Sequence, residues 1–291
     1  MAGTNVVLTA GTMVVTVLMC FLKVQLWRTQ PSHKEDTLER EFRNCTKIFL
    51  DLGANRGTHI RKLFEPEKYP DAKYLQIFDR LFGPPTFRQQ PSKVTGLCAI
   101  GFEANPRWRD TFSSIERAYR DKGWHVIFYR VAVSNRTGKA VFYKNDFNGS
   151  KSGWGFSRHK HNRERGRQHW MQGAPPVLVP IRDFGVFLQQ LNATAPSGTR
   201  LMKMDIEGSE YDVMLELLEN GQLCKHTLDM ITIEWHPWLF RDRREVLAQD
   251  SFLRRTIQES RACASGPQAD IWDFDDESYL GDGQPLPRPR L

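Results

Sequence analysis

Four short blocks of the 291-residue chain carry the residue types that could do chemistry. The first reads Asp51-Leu52-Gly53-Ala54-Asn55-Arg56-Gly57. Its glycines allow a tight turn and a close approach of backbone to a ligand at the start of a helix. They do not have the G-x-G-x-x-G spacing of a dinucleotide loop, so a diphosphate cradle is not indicated. The second, Gly101-Phe102-Glu103-Ala104-Asn105-Pro106, puts an acid at a strand end, where one carboxylate can accept from both hydroxyls of a ribose. Asn105 is expected to cap the helix that Pro106 begins, which leaves Glu103 for a ligand. The third runs from Met202 through Asp205, Glu207 and Gly208 to Glu210. Asp205 would point from the strand end into a cleft. Glu207 is a second candidate, its structural alternative being a helix-start charge, and Lys203 suits a partner for one of these acids. In the fourth, Ile231 to His236, Glu234 and His236 join Asp205 as candidate general bases, and an unperturbed His236 titrates nearest neutral pH.

These blocks need strand ends to hold them, and the pattern supplies strands. Lys47–Leu52 is a compact apolar run of the kind buried on both faces of a sheet. A helix with Ile60, Leu63 and Phe64 on one face follows and must stop before Pro66. Further strands are expected at Leu97–Phe102, His125–Val131, Val177–Ile181, Leu201–Met204 and Met230–Trp235. Between them lie apolar stripes at helical spacing: Trp108, Phe112, Ile115 and Tyr119; then Phe184, Phe187, Leu188 and Leu191 behind an Asp183 cap; then Val213, Met214, Leu217 and Leu218. Asn135 to Gly138 reads as a hairpin turn with Lys139 to Tyr143 returning, and Ile271 to Leu280 as a final hairpin. The alternation implies an α/β, doubly wound, mostly parallel sheet with ligands at the carboxyl ends of its strands. The insertion Glu65–Gly96, with Tyr69, Tyr74, Phe78, Phe82 and Phe87, reads as a lid or substrate cap.

Taken in order, Phe49 to Gly57, Gly101 to Pro106, Val131 to Gly138, Met202 to Glu210 and Ile231 to His236 resemble the FkbM family of S-adenosylmethionine-dependent methyltransferases. The resemblance covers about Lys47 to His236 and implies a Rossmann-like sheet of the class I methyltransferase type. It implies that Asp51, Gly53, Asn55 and Gly57 hold the methionine part of S-adenosyl-L-methionine, that Glu103 holds its ribose, and that Val133 lies near its adenine. A sulfonium and an ammonium favour carboxylates, and Asp51 and Glu103 have the right sign. Asp205, His236 and Glu207 become the candidates for the reaction, in which holding the acceptor in line is much of the catalysis. The family's preference for oxygen implies O-methylation of a glycan or other hydroxylated acceptor. A nicotinamide-dependent oxidoreductase is disfavoured by the glycine spacing, and a tethered module that keeps the fold without turnover is the remaining alternative.

The rest of the chain bears on where this happens. Charged residues make up 26% and hydrophobic ones 40%, as in an ordinary globular protein, and a mean hydropathy of −0.52 excludes a polytopic membrane protein. Val6 to Leu22 is free of charge and, with no small-x-small site after it, reads as a retained single-span anchor rather than a cleaved signal. The organisation expected is an anchor over 1–28, a stem over 29–46, a catalytic domain over 47–285 and a disordered tail over 286–291. Lys23, Arg28, Lys34 and Arg40 after the span favour a cytosolic domain. Sequons at Asn44, Asn135, Asn148 and Asn192 favour the secretory lumen, in the endoplasmic reticulum or Golgi, and the reading leans that way. Outside the span, Cys45, Cys98, Cys224 and Cys263 could form two bridges, although Cys98, in a strand, fits a free thiol equally well. The net charge is +7, and the basic loop Arg158–His169 could hold an acidic glycan or be a solvated surface loop. Nucleic acid is not expected as a partner. No metal is expected either: His159, His161 and His169 lie among arginines, and acids such as Asp205 and Glu234 commonly follow strands without one.

Overall fold

Strand β1 (Lys47–Leu52) buries five of its six residues, so it needs a strand on each side and helices on both faces. A computed structural model, which describes residues 35–144, 155–159, 175–240, 243–276, 278 and 285, supplies all of these. β1 pairs with β2 (Leu97–Phe102) and β8 (Thr199–Met204). Outside these lie β3 (His125–Tyr129), β9 (Met230–Ile233) and β10 (Asp270–Asp273), giving the order β10-β9-β8-β1-β2-β3 with every pairing parallel. After β3 the chain returns to the far side of β1. The strand order therefore reverses between β1 and β8, the point where such sheets leave a crevice.

The two faces follow from the period of two along each strand. Ile48, Leu50 and Leu52 face one apolar layer with α7 (Phe184–Thr194) and α8 (Glu210–Glu219). Phe49 faces the other, with α2 (Thr58–Phe64), α3 (Tyr74–Phe82) and α6 (Arg109–Asp121). Two short helices, α4 (Pro85–Arg88) and α5 (Ser92–Thr95), lead into β2, and α9 (Arg243–Gln258) precedes β10. Asn105 and Asp183 cap as expected, accepting from the backbone N–H of Arg107 (3.1 Å) and Val186 (2.9 Å).

Four expectations change. The stem is helical from Glu35 to Phe42 (α1): Leu38 and Phe42, four apart, are buried against α7 because its charged residues leave one apolar edge. The Glu65–Gly96 insertion is part of the core rather than a lid. Tyr74, Phe78 and Phe82 are buried beneath the sheet, and the Tyr74 hydroxyl meets Thr232 Oγ1 of β9. Asn135–Gly138 does not turn a hairpin. A second sheet has the order β4-β7-β5-β6, so β7 (Val177–Asp183) separates β4 (Ala132–Ser134) from β5 (Gly138–Lys144), with β6 (Phe156–Ser157) at the edge. Four residue steps reach about 13 Å, enough to cross the roughly 9.6 Å between strands flanking a third. Finally, Asp270–Asp273 adds a parallel edge strand, and Asp276 tucks under the sheet to meet Lys62 at 3.2 Å.

The cysteines pair as Cys45–Cys98 and Cys224–Cys263, so Cys98 is not a free thiol. Among the described residues no helix is long and apolar enough to cross a membrane. The stretch Val6–Leu22 lies outside them, as do residues 160–169 of the basic loop.

Candidate active site

Backbone hydrogen bonds continue past the strand ends and bind the four motif loops to one another. The N–H groups of Gly53 and Ala54 donate to Phe102 O (3.0 and 2.9 Å), Asp205 N–H to Leu52 O (3.0 Å), and Glu234 N–H to Met204 O (3.0 Å). At Gly53, with φ +80°, a Cβ would stand 1.7 Å from the Asp205 carbonyl oxygen, so only glycine lets the first and third loops touch. Asn55 (φ 49°) and Glu207 (φ 53°) are left-handed without being glycine, a strain that is common at functional sites.

Glu103 clasps the first two loops. Its Oε2 accepts from Asn55 N–H (2.7 Å) and its Oε1 from Asn105 N–H (2.6 Å). Asn105 therefore caps its helix without freeing Glu103, which keeps only its remaining lone pairs for a ligand. Burial pushes the Glu103 carboxyl up to about 7, against the pull of these two N–H groups.

The β1–β8 register puts Asp51 beside Lys203. The Lys203 ammonium donates to Gly53 O (3.0 Å) and Asp205 Oδ2 (3.0 Å) and lies 3.6 Å from Asp51 Oδ1. Asp51 is fully buried, neither of its oxygens has a hydrogen bond among the described residues, and burial raises its pKa. The carboxylate of Glu210, also fully buried, accepts from Ile206 N–H and Gly208 N–H (2.8 Å each), with Glu207 carried on the turn between them. Glu210 Oε1 also meets Nδ1 of buried His236 at 2.9 Å. On the other side of that ring, Nε2 lies 3.5 Å from Glu234, 3.8 Å from Asp205 and 3.9 Å from Glu207. Burial alone would lower the His236 pKa, but Glu210, Glu207 and Asp205 overcome it and raise it to about 10. Burial pushes Glu207 up to about 7. Burial and then the nearby Asp205 charge push Glu234 up to about 8.

A cleft open at its mouth lies over these strand ends. Gly53, Asn55, Glu103, Asp205 and Glu207 form its polar side; Phe102, Val133, Phe142 and Phe156 form an apolar wall. Six of the expected residues thus line one pocket: Gly53, Asn55, Glu103, Val133, Asp205 and Glu207. Three do not line it. Asp51 is buried beneath Lys203, Gly57 (φ +83°) starts α2 against Ile115 and Phe128, and His236 stands behind the carboxylates. Sequence reasoning missed the stacked pair Phe142 and Phe156 (5.3 Å between centroids), because only the second sheet carries them to the pocket. It also missed the Glu210 clasp on His236, whose single sequence signal is an acid in the first turn of a helix. Of the basic loop, Arg158 lies 3.6 Å from Asp212 and the His159 ring lies 4.3 Å from that of Phe240. Between β6 and the site, Ser157 Oγ donates to Glu207 O (2.6 Å).

Residues 51–262 match the family model described as the methyltransferase FkbM domain. Among solved structures, the crystal structure of methyltransferase FkbM from Methylobacillus flagellatus KT is similar at 13% identity and a TM-score of 0.37. That match covers 74% of this chain and spans 38% of the other. No curated protein matches.

Proposed function

The chain belongs to the FkbM methyltransferase family, and we propose that it uses S-adenosyl-L-methionine to methylate a hydroxyl, on a glycan or another hydroxylated acceptor. The pocket at the strand-order reversal carries this reading. Its polar side is acidic (Glu103, Asp205 and Glu207), and its apolar side carries the stacked rings of Phe142 and Phe156. Asn55 Oδ1, buried at this pocket and with no hydrogen bond among the described residues, is an acceptor suited to a ligand donor. The residues fit the cofactor: the Gly53–Asn55 loop would hold its methionine part, Glu103 its ribose, and Val133, Phe142 and Phe156 its adenine. When bound, it supplies an electrophilic methyl on a sulfonium.

The chain's own groups would do the rest. Asp205 and Glu207 line the pocket and would face the acceptor. In the ligand-free site His236, with its pKa near 10, holds its proton at neutral pH, so it positions the carboxylates rather than taking a proton. Glu207, pushed up to about 7 and partly exposed, is the better-placed group to receive one. The secretory lumen is the location proposed. Two disulfides suit an oxidising compartment, and the sequon residues Asn44 and Asn135 are exposed. The basic loop remains the proposed contact for an acidic glycan, and Val6–Leu22 the proposed anchor.

The test is calorimetric titration of S-adenosylmethionine into the purified full chain, with NAD as control, followed by transfer of labelled methyl to a panel of glycans. Saturable binding and labelling of a hydroxylated acceptor are expected. Folded protein that binds NAD, or binds neither ligand, overturns the reading. A mobility shift on peptide N-glycosidase treatment is expected for the protein expressed in cells, and its absence argues for the cytosol.

A further inference from the structure

The orientation of His236 has a role to fill beyond holding carboxylates. Asp205, Glu234 and His236 each offer one ligand atom, and these atoms lie within 4.8 Å of one another. The ring is buried and cannot swing: Nδ1 is tied to Glu210, which two backbone N–H groups hold in turn. Among the described residues Nε2 has no hydrogen bond, yet it points at Glu234 Oε1 (3.5 Å), Asp205 Oδ1 (3.8 Å) and Glu207 Oε2 (3.9 Å). N–H···O bonds span about 2.7–3.2 Å, so these separations are too long for direct pairing. Ligand atoms sharing one ion at bonds of about 2.1 Å stand roughly 3.0–3.4 Å apart, so an ion would draw together a set that now spans up to 4.8 Å. A histidine whose second nitrogen is held by a buried carboxylate is also the usual support of a metal-ligating imidazole.

The geometry points to a divalent-cation site formed by Nε2 of His236 and the carboxylates of Asp205 and Glu234, with Glu210 orienting the histidine. One nitrogen among oxygens suits Mn²⁺ or Mg²⁺ better than a thiolate-seeking ion. Lys203 engages Asp205 through the other carboxylate oxygen, Oδ2, so the cation and the ammonium share that residue without competing for one atom. The side chains of Asp205 and Glu234 are 20% and 27% exposed, and Asp205 also lines the cleft, so an acceptor oxygen could complete the coordination from that side. Binding displaces whatever proton Nε2 carries. The other such cluster among the described residues, Cys45, Cys98 and His125, offers no thiolate because its cysteines are bridged. The acceptor's part in this site rests on the methyltransferase reading, whereas the cation's binding does not.

The test uses the full chain, stripped with EDTA and titrated with Mn²⁺, with free Mn²⁺ read by electron paramagnetic resonance and Mg²⁺ added as competitor. One Mn²⁺ per chain is expected, displaced by excess Mg²⁺. Glu234→Gln, at a partly exposed side chain, should fold and weaken binding at least tenfold. Glu210→Gln should weaken it by about 10- to 100-fold through loss of the imidazole's orientation. Asp212→Asn, outside the cluster, should leave it unchanged. Folded wild-type protein that binds no stoichiometric Mn²⁺, or Glu234→Gln protein that binds as the wild type does, overturns the site. Calorimetry with S-adenosylmethionine on the same samples separates the two ideas. Cofactor binding without Mn²⁺ removes only the cation site, and Mn²⁺ binding without the cofactor removes only the methyltransferase reading.

Discussion

Glu103→Gln is the substitution whose outcome the structure fixes most closely. The carboxylate accepts one N–H on each oxygen, from Asn55 at 2.7 Å and Asn105 at 2.6 Å. An amide of the same shape keeps one of these bonds and turns its own NH₂ toward the other donor. An opposed buried donor costs about 1–3 kcal/mol, so the variant should unfold more easily by that amount in a denaturant titration. A hydrogen bond from a ribose hydroxyl to a charged acceptor contributes about 1.5–3 kcal/mol, so cofactor affinity should fall roughly 10- to 150-fold.

Proton linkage gives the sharper version of the test. Burial raises the free carboxyl to about 7, so near pH 7 it is about half protonated in the ligand-free protein. A cationic ligand with hydroxyl donors favours the ionised form and lowers that pKa. Binding must then release about half a proton at pH 7 from this group alone, and affinity should strengthen about tenfold between pH 6 and pH 8. The sign runs the other way for the ligand-free fold. A carboxyl raised on folding contributes stability below its unfolded pKa, and this is lost as pH rises through about 7. Calorimetry in two buffers of different ionisation enthalpy measures the protons released. Glu207, also near 7, titrates in the same range, so the quantity to compare is wild type minus Glu103→Gln. If the variant releases as many protons as the wild type, or binds the cofactor as tightly, Glu103 does not hold the ligand and the reasoning fails.

Three other perturbations have definite expectations. Gly53→Ala should cost well over the 1–2 kcal/mol of a left-handed alanine, because its Cβ meets the Asp205 carbonyl at 1.7 Å. Gly221→Ala (φ +65°, nothing within 4 Å) should cost only the backbone term, and thermal melts of the two variants compare them directly. Lys203→Met leaves the fully buried Asp51 without its ammonium and should destabilise by about 3–5 kcal/mol, much of it restored in the Asp51→Asn/Lys203→Met double variant; denaturant midpoints of all three test the pairing. The paired Cys224→Ser/Cys263→Ser variant should lose about 2–4 kcal/mol, with two fewer thiols on reduction and denaturation, whereas an unchanged midpoint removes that bridge from the account.

The strand ends were legible because a strand buried on both faces tolerates few polar residues, so Asp51, Glu103, Asp205 and Glu234 stand out where the apolar runs stop. The pairings among them were not legible. Lys203 reaches Asp51 because β1 and β8 align those two residues, and their separation in the chain carries no trace of that register. His236 read as a base because its ordinary pKa is near neutral, and the buried Glu210 beside Nδ1, with Glu207 and Asp205, reverses that. The aromatics of Glu65–Gly96 suggested a lid because a long insertion with exposed rings would be one. The sheet's lower face needed covering, and Tyr74, Phe78 and Phe82 cover it. The split of Ala132–Ser134 from Gly138–Lys144 by β7 depends on a partner about forty residues further along the chain, which no local pattern encodes.

The charge of the site carries one last consequence. Asp51, Glu103, Glu207 and Glu234 all have pKa values raised first by burial, so each resists ionising where the fold holds it. Lys203 and His236 are the cations that contact this acidic group directly among the described residues. A fold that gathers carboxylates in this way is least stable without a positive partner, so cationic ligands should stabilise it by more than their contacts with any one residue suggest. A ligand at one hundred times its dissociation constant adds about 2.7 kcal/mol, and two ligands at separate places in one acidic site should each do so. Melting the full chain with S-adenosylmethionine, with Mn²⁺ and with both should therefore give two separate upward shifts whose sum exceeds either alone. The shifts should be larger at pH 8 than at pH 6, where protons already neutralise part of the acid. Shifts that do not change with pH would mean that the carboxylates are not what these ligands meet.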